Sequence, residues 1–240
     1  MTTLTHDATP VAASRFGVGL VFALVSAASF GLSGALARGL LDAGWTAGAA
    51  VTVRVSIAAF VLAVPSALAL RSRWAMLRSN ASTLLVYGVA AVAGCQLCYF
   101  YAVEHMQVGL ALLIEYTAPV AVVVWLWLRH GHRPGRLTLV GAFVSAVGLI
   151  LVLDVFSGAQ VSVVGVLWAL GAMVGVTFYF VISADEDNGL PPMVLAGGGL
   201  VIASLVLTAA GTVGILPMAV SSADVSYRGT VVPWWVPVLG

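Results

Sequence analysis

Residues 111–128 read ALLIEYTAPVAVVVWLWL, an apolar run with a carboxylate, Glu115, and a proline, Pro119, set inside it. A second apolar run, 46–70, carries a single charge, Arg54. Opposite charges in oily surroundings can pair, bind an ammonium or a carboxylate, or carry a proton. Left alone, each costs about 2.5–3.5 kcal/mol or more at the centre of a membrane helix. Pro119 has no N–H to give to the carbonyl four residues back, which is that of Glu115 itself. The hydroxyls of Tyr116 and Thr117 stand beside this freed acceptor. Arg54, Glu115, Tyr116, Thr117 and Pro119, with the aromatic Tyr99, are therefore the candidate lining of a small-molecule site. The competing readings are a buried ion pair that only fixes packing, a proline that only kinks its helix, and core packing for Tyr99, Phe100 and Tyr101.

Other chemistry-bearing residues read as structural. Cys95 and Cys98 form C-x-x-C, a redox or zinc signature in a cytosolic protein. Here they share one face of an apolar segment that has no second ligand pair. His130 and His132 flank a glycine among arginines, a poor metal site. No nucleophile–base pair, phosphate-binding loop or metal cluster is visible, so neither an enzyme nor a cofactor is expected.

The solvent decides which elements position these groups. Of 240 residues, 61% are hydrophobic and 8% charged, against about 25% charged in soluble domains. So few charges cannot cover a water-soluble fold. Seven stretches, at about 16–37, 46–70, 82–103, 107–128, 137–153, 161–184 and 191–216, approach the length of a membrane helix, and an eighth begins near Val231. The expected fold is all-α, a polytopic membrane helical bundle. The alternating segments of a barrel are absent. A net charge of +1 offers no basic face to nucleic acid, so the expected partners are the lipid bilayer and a small-molecule substrate. Residues 1–15 form a short polar tail. The ten basic residues are all arginine, and Ala, Gly and Val are abundant, which suggests a GC-rich bacterial genome and hence a bacterial inner membrane.

Short arginine-rich loops face the cytoplasm. Arg15, Arg71, Arg73, Arg78, Arg129, Arg133 and Arg136 fall on one side, and Arg38 and Arg228 on the other, which predicts a cytoplasmic N-terminus. The loop Asp185-Glu186-Asp187 has no basic residue, a tolerable exception because acids count little in this rule. With directions so fixed, Arg54 and Glu115 each lie eight residues in from the outer side, about 12 Å deep at 1.5 Å per residue. They are expected to face one another. Gly171-x-x-x-Gly175 and Gly44-x-x-x-Gly48 fit close helix contact, and a homodimer stays open without being required by them. Trp125, Trp127, Trp234 and Trp235, at span ends, are expected as interfacial anchors.

The chain also repeats itself. VGLVFAL (18–24) matches VGVLWAL (164–170), and AAFVL (58–62) matches ASLVL (203–207), at shifts of 146 and 145. Five spans per unit force the second copy to insert upside down, the inverted-repeat plan of many carriers. RVSIAAFVL in span two, CYFYAVEHMQVGLALLIEYTAPV through spans three and four, and LTLVGAFVSAVGLILVL in span five carry a further likeness. With these, the chain resembles the EamA-type families of the drug/metabolite transporter superfamily. The resemblance implies a ten-span carrier of two inverted five-span repeats, here 16–153 and 161–240, exporting small metabolites through a central cavity. Two features depart from the family pattern. Its Gly-Glu-Arg-like turn after span four is RHGHRPGR here, and the second repeat stops about 65 residues short, which reads as a truncated frame or fragment.

The function expected is a secondary carrier that exports a small organic solute, amino acid-like or otherwise amphipathic, by alternating access. An inactive fragment, a channel and a membrane-embedded enzyme are the alternatives. A channel needs a ring of polar residues, and an enzyme needs converging acid, base or metal ligands. The sequence supplies neither pattern.

Overall fold

The computed structural model describes residues 10–71, 74–131, 135–152, 162–185, 189–227 and 230–239. Arg73, His132, Arg133, Asp154, Glu186, Asp187 and Arg228 lie outside the described residues. The elements are α1 (Pro10–Asp42), α2 (Ala47–Leu70), α3 (Ala75–Ser79), α4 (Ala81–Val86), a π-helical stretch (Tyr87–Gly94), α5 (Cys95–His105), α6 (Val108–Glu115), α7 (Ala118–His130), α8 (Arg136–Val152), α9 (Val163–Ser183), α10 (Pro192–Thr212), β1 (Val225–Tyr227), β2 (Thr230–Val232) and α11 (Trp235–Leu239).

The fold is the expected all-α polytopic bundle. Among the described residues, six helical runs are long and apolar enough to cross a bilayer: Gly19–Asp42, Ala47–Leu70, Ala81–His105, Val108–Arg129, Val163–Ser183 and Pro192–Thr212. The fifth expected span corresponds to α8, which is 17 residues long. Helices satisfy their own backbone polar groups, as hydrocarbon demands. Their outward side chains are apolar: Phe60 of α2 is 83% exposed and Leu137 of α8 is 86% exposed. Such surfaces suit lipid.

Inside, α2 lies along α10, while α9 packs against α5, α6, α7 and the π stretch. Leu40, Val51, Phe100 and Val103 are among the largest fully buried side chains. The α5–α9 seam is made by small residues. A Cβ at Gly175 would stand 2.6 Å from the Cβ of Cys95, and one at Gly171 would stand 3.0 Å from the sulfur of Cys98. Gly171-x-x-x-Gly175 is thus a helix-contact motif, and the two cysteines are its counterpart. Span three is α4, the π stretch and α5 joined end to end. Its wide turn brings Gly88 so close to α10 that a Cβ there would lie 2.8 Å from the carbonyl of Gly199.

Two expectations require correction. Gly44-x-x-x-Gly48 is not a helix–helix motif, because α1 ends at Asp42 and Gly44 turns the chain at a φ of 96°. Gly48 instead admits a returning strand of backbone, with the carbonyl of Pro217 2.7 Å from where its Cβ would be. The second correction concerns the end of the chain. The helix of span seven stops at Thr212 rather than near 216, and an antiparallel hairpin, with Val225 opposite Val232, takes up the first residues of the run expected from Val231, so that helix begins only at Trp235.

This hairpin segment is tied to the α1–α2 turn. Trp45 donates its indole N–H to the Ser221 carbonyl at 2.7 Å, and the Thr46 hydroxyl donates to the Pro217 carbonyl at 2.7 Å. The Thr46 amide donates to the Ala219 carbonyl at 3.1 Å. Trp234 stacks on Trp45, ring centroids 6.1 Å apart.

Candidate functional site

Span four is broken where the sequence marked it. Helix α6 ends at Glu115, Tyr116 and Thr117 follow with ψ of −5° and −4°, and α7 restarts at Ala118 with Pro119 in its first turn. Proline fits there because the first turn of a helix needs no N–H from it. The Thr117 hydroxyl donates to the Ile114 carbonyl at 2.7 Å and lies 3.1 Å from the sulfur of Met173 on α9. The break therefore has its own internal bonding and is braced against α9.

The same break sorts its side chains. Glu115 is 2% exposed, while Tyr116 is 54% exposed and Pro119 is also exposed. Glu115 Oε1 accepts a long bond from the thiol of Cys95 at 3.8 Å, and Oε2 is buried with no hydrogen-bond partner. Burying a carboxyl group with so little compensation is costly. Tyr99 is buried beside it, 5% exposed, with a hydroxyl that also has no hydrogen-bond partner. Gly34 of α1 leaves room for that hydroxyl, because any Cβ there would overlap it.

Arg54 occupies a different corner. Its Nη2 donates to the Ser33 hydroxyl at 2.9 Å, and its guanidinium lies 5.7 Å from the centroid of the Phe100 ring. It lines a cavity of about 370 Å³ together with Val51, Gln96, Phe100, Leu200 and others from α2, the π stretch, α5, α10 and α11. Glu115, Tyr116, Thr117, Pro119 and Tyr99 are not in that lining.

The expected Arg54–Glu115 pair is therefore not formed. Among the described residues the ion pair present is Arg38–Asp42, at 3.0 Å. Helix α5 packs against both α2 and α6, and its Tyr99 is within electrostatic reach of both charges. Equal depth placed the two at one level of the membrane. It could not place them on facing sides of their helices, because each residue turns the side chain about 100° around the axis.

Of the three aromatic residues weighed together, Phe100 faces the cavity, Tyr99 the buried carboxyl, and Tyr101 stacks on Trp168 at 4.8 Å. Sequence reasoning missed Gln96 and Ser33. The signal for Gln96 was available, since a lone amide in GCQLCYF stands out as Arg54 does. Among the described residues no group of three or more His, Cys, Asp or Glu side chains is placed to hold a metal.

Fold and site together define a multi-pass helical membrane protein with a half-open cavity of small-molecule size between its helices. Residues 17–154, more than half of the chain, match the EamA-like transporter family, and the chain belongs to it. No curated protein and no solved structure gives a significant match.

Proposed function

We propose that the chain is a secondary carrier of the bacterial inner membrane that exports a small organic solute, with its N-terminus in the cytoplasm. The observation that carries this reading is the cavity between α2, α5 and α10, whose wall is apolar apart from Arg54 and the amide Gln96. Its supports are the membership in a transporter family and the broken span beside an uncompensated buried carboxyl. Broken helices near mid-membrane are where carriers build their sites.

Arg54 is assigned to the solute directly. Glu115 and Tyr99 are assigned to the wall that moves as the site changes its access. Tyr116, Thr117 and Pro119 form the joint at which α6 and α7 reorient during alternating access. The test is solute efflux from preloaded proteoliposomes holding the purified chain, alone and with Arg54→Gln or Glu115→Gln. A carrier gives flux that saturates with solute, and each substitution reduces it at least tenfold. Flux that rises linearly without saturation would make it a channel, and a chemically altered product would make it an enzyme.

A further inference from the structure

We infer that a second cavity, between α9, α10 and the π stretch, binds a neutral aromatic solute bearing one hydrogen-bonding group, on the cytoplasmic side of the Arg54 cavity. The inference deepens the carrier reading and rests on it for its meaning, while binding alone tests the site.

This cavity has a volume of about 320 Å³, near the lower end of the roughly 300–1,000 Å³ of small-molecule sites. Its walls include Tyr87, Tyr179, Ser183, Pro192, Met193 and Ala196. Ser183 ends α9 and Pro192 begins α10. Helix α10 begins beside the end of α2, where the Ser66 hydroxyl bonds the Met193 carbonyl, and Arg71 follows that end. The arginine rule therefore assigns the cavity to the cytoplasmic end.

The two cavities follow one another along the seam between α10 and the π stretch. Ala196 and Leu200, four apart on α10, share a face; the first lines this cavity and the second the Arg54 cavity. Tyr87 and Val92, five apart where hydrogen bonds run i→i+5, are related in the same way. A solute held here lies next to the cavity already described.

The walls specify its chemistry. Tyr179 is 44% exposed and lies 5.8 Å from Tyr87, centroid to centroid. A flat ring set against it gains offset stacking, and the thioether of Met193 suits an aromatic edge. The Tyr87 and Ser183 hydroxyls share a hydrogen bond. That bond uses one of their two O–H donors and leaves lone pairs over, to which a ligand O–H or N–H can donate. No charged residue lines the cavity, so a carboxylate or an ammonium would lose water without gaining a counter-charge. An aromatic cage for an organic cation needs open ring faces. Tyr87 is buried against Gly199, where any Cβ would overlap its ring.

Four probes of nearly one shape separate these demands: 2-naphthol, naphthalene, 2-naphthoate and 2-naphthylmethylamine. Binding to the purified chain in nanodiscs is measured by titration calorimetry, with the heat of empty nanodiscs subtracted. The naphthol is expected to bind saturably, naphthalene several-fold weaker for want of the hydrogen bond, and the two ions at least tenfold weaker. Ser183→Ala should bring the naphthol down towards naphthalene, and Tyr179→Leu should weaken both several-fold. Should Tyr179→Leu fail to fold, Ala196→Phe serves in its place by filling the cavity, and saturable binding should vanish.

Either ion binding as tightly as 2-naphthol would overturn the inference. So would naphthol binding unmoved by Ser183→Ala and Ala196→Phe. A phospholipid retained in native mass spectra and released by Ala196→Phe, with no probe binding, would make this a lipid site instead. Flux separates the two readings. Saturable efflux of another solute without naphthol binding keeps the carrier and removes the second site. Naphthol binding that depends on Tyr179 and Ser183, with no flux of any solute, keeps the site and removes the carrier.

Discussion

Glu115 and Gly175 hold opposite ends of one argument about what a buried position tolerates. Gly175 stands where α9 meets α5 so closely that a Cβ would come 2.6 Å from Cys95 and 2.8 Å from its Cα. The obstacle is partly backbone, so it cannot swing aside. Gly175→Val should therefore lower stability by about 1–3 kcal/mol, the usual cost of overpacking. Gly171→Ala should cost less, because the atom in its way is a cysteine sulfur at 3.0 Å. Thermal unfolding in detergent ranks the two, and equal effects would contradict the seam as described. For Glu115 the expectation runs the other way. A residue torn from a buried ion pair leaves a loss of about 3–5 kcal/mol, but Glu115 has only a long thiol contact to lose. Glu115→Leu should fold at least as well as the parent while losing flux. A loss of several kcal/mol would mean that Glu115 holds a structural partner after all. The burial of Glu115 and the glycine seam were both legible in the sequence, since each depends only on residue type and spacing. The partner of Glu115 was not, because depth along a helix carries no information about rotation around it.

At the scale of elements, the contrast is between two prolines. Helix α2 runs unbroken from Ala47 to Leu70 through Pro65, whereas span four breaks before Pro119. Both prolines stand inside apolar runs, Pro65 reading as a simple kink and Pro119 as a kink or the edge of a site. What differs is the neighbourhood. Helix α2 lies along α10 for much of its length, and the Ser66 hydroxyl donates to the Met193 carbonyl at 2.9 Å across that contact. Span four offers its break an alternative instead, the Thr117 hydroxyl on the Ile114 carbonyl. Pro119→Ala restores an N–H that can reach the Glu115 carbonyl. The expected result is a more continuous helix, an unfolding midpoint at or above that of the parent, and slower flux. Unchanged flux with a raised midpoint would leave the break as packing alone. The π stretch Tyr87–Gly94 and the hairpin had no legible signal. An apolar run reads the same whether it winds with a normal or a wide turn. Val231 and Val232 read as the start of an eighth span because hydropathy does not distinguish a strand from a span.

For the whole molecule, the packing ties together one end of the bundle. Arg38 of α1 donates to the Val103 carbonyl at 2.9 Å, Trp45 and Thr46 hold residues 217–221, and Tyr227 donates to the Leu36 carbonyl at 3.3 Å. The α1–α2 turn, the end of α5 and the hairpin therefore share one side of the membrane. Burial raises the Tyr227 phenol above its ordinary range, with Arg54 lowering it and Asp42 raising it, so the hairpin reaches into the field of the cavity cation. Arg71 and Arg78 stand beyond the opposite end of α2, and Arg129 lies in the last turn of α7. The arginine rule then predicts an external hairpin end. The expected outcome is specific: with Cys95 and Cys98 replaced, Ala223→Cys on the exposed segment before β1 should label from outside intact cells with an impermeant reagent. Arg78→Cys should label only after the membrane is opened. Reversed labelling would turn the whole bundle over. It would also place the hairpin, and the mouth of the site it adjoins, on the cytoplasmic side, where it would be the entry for an exported solute rather than its exit.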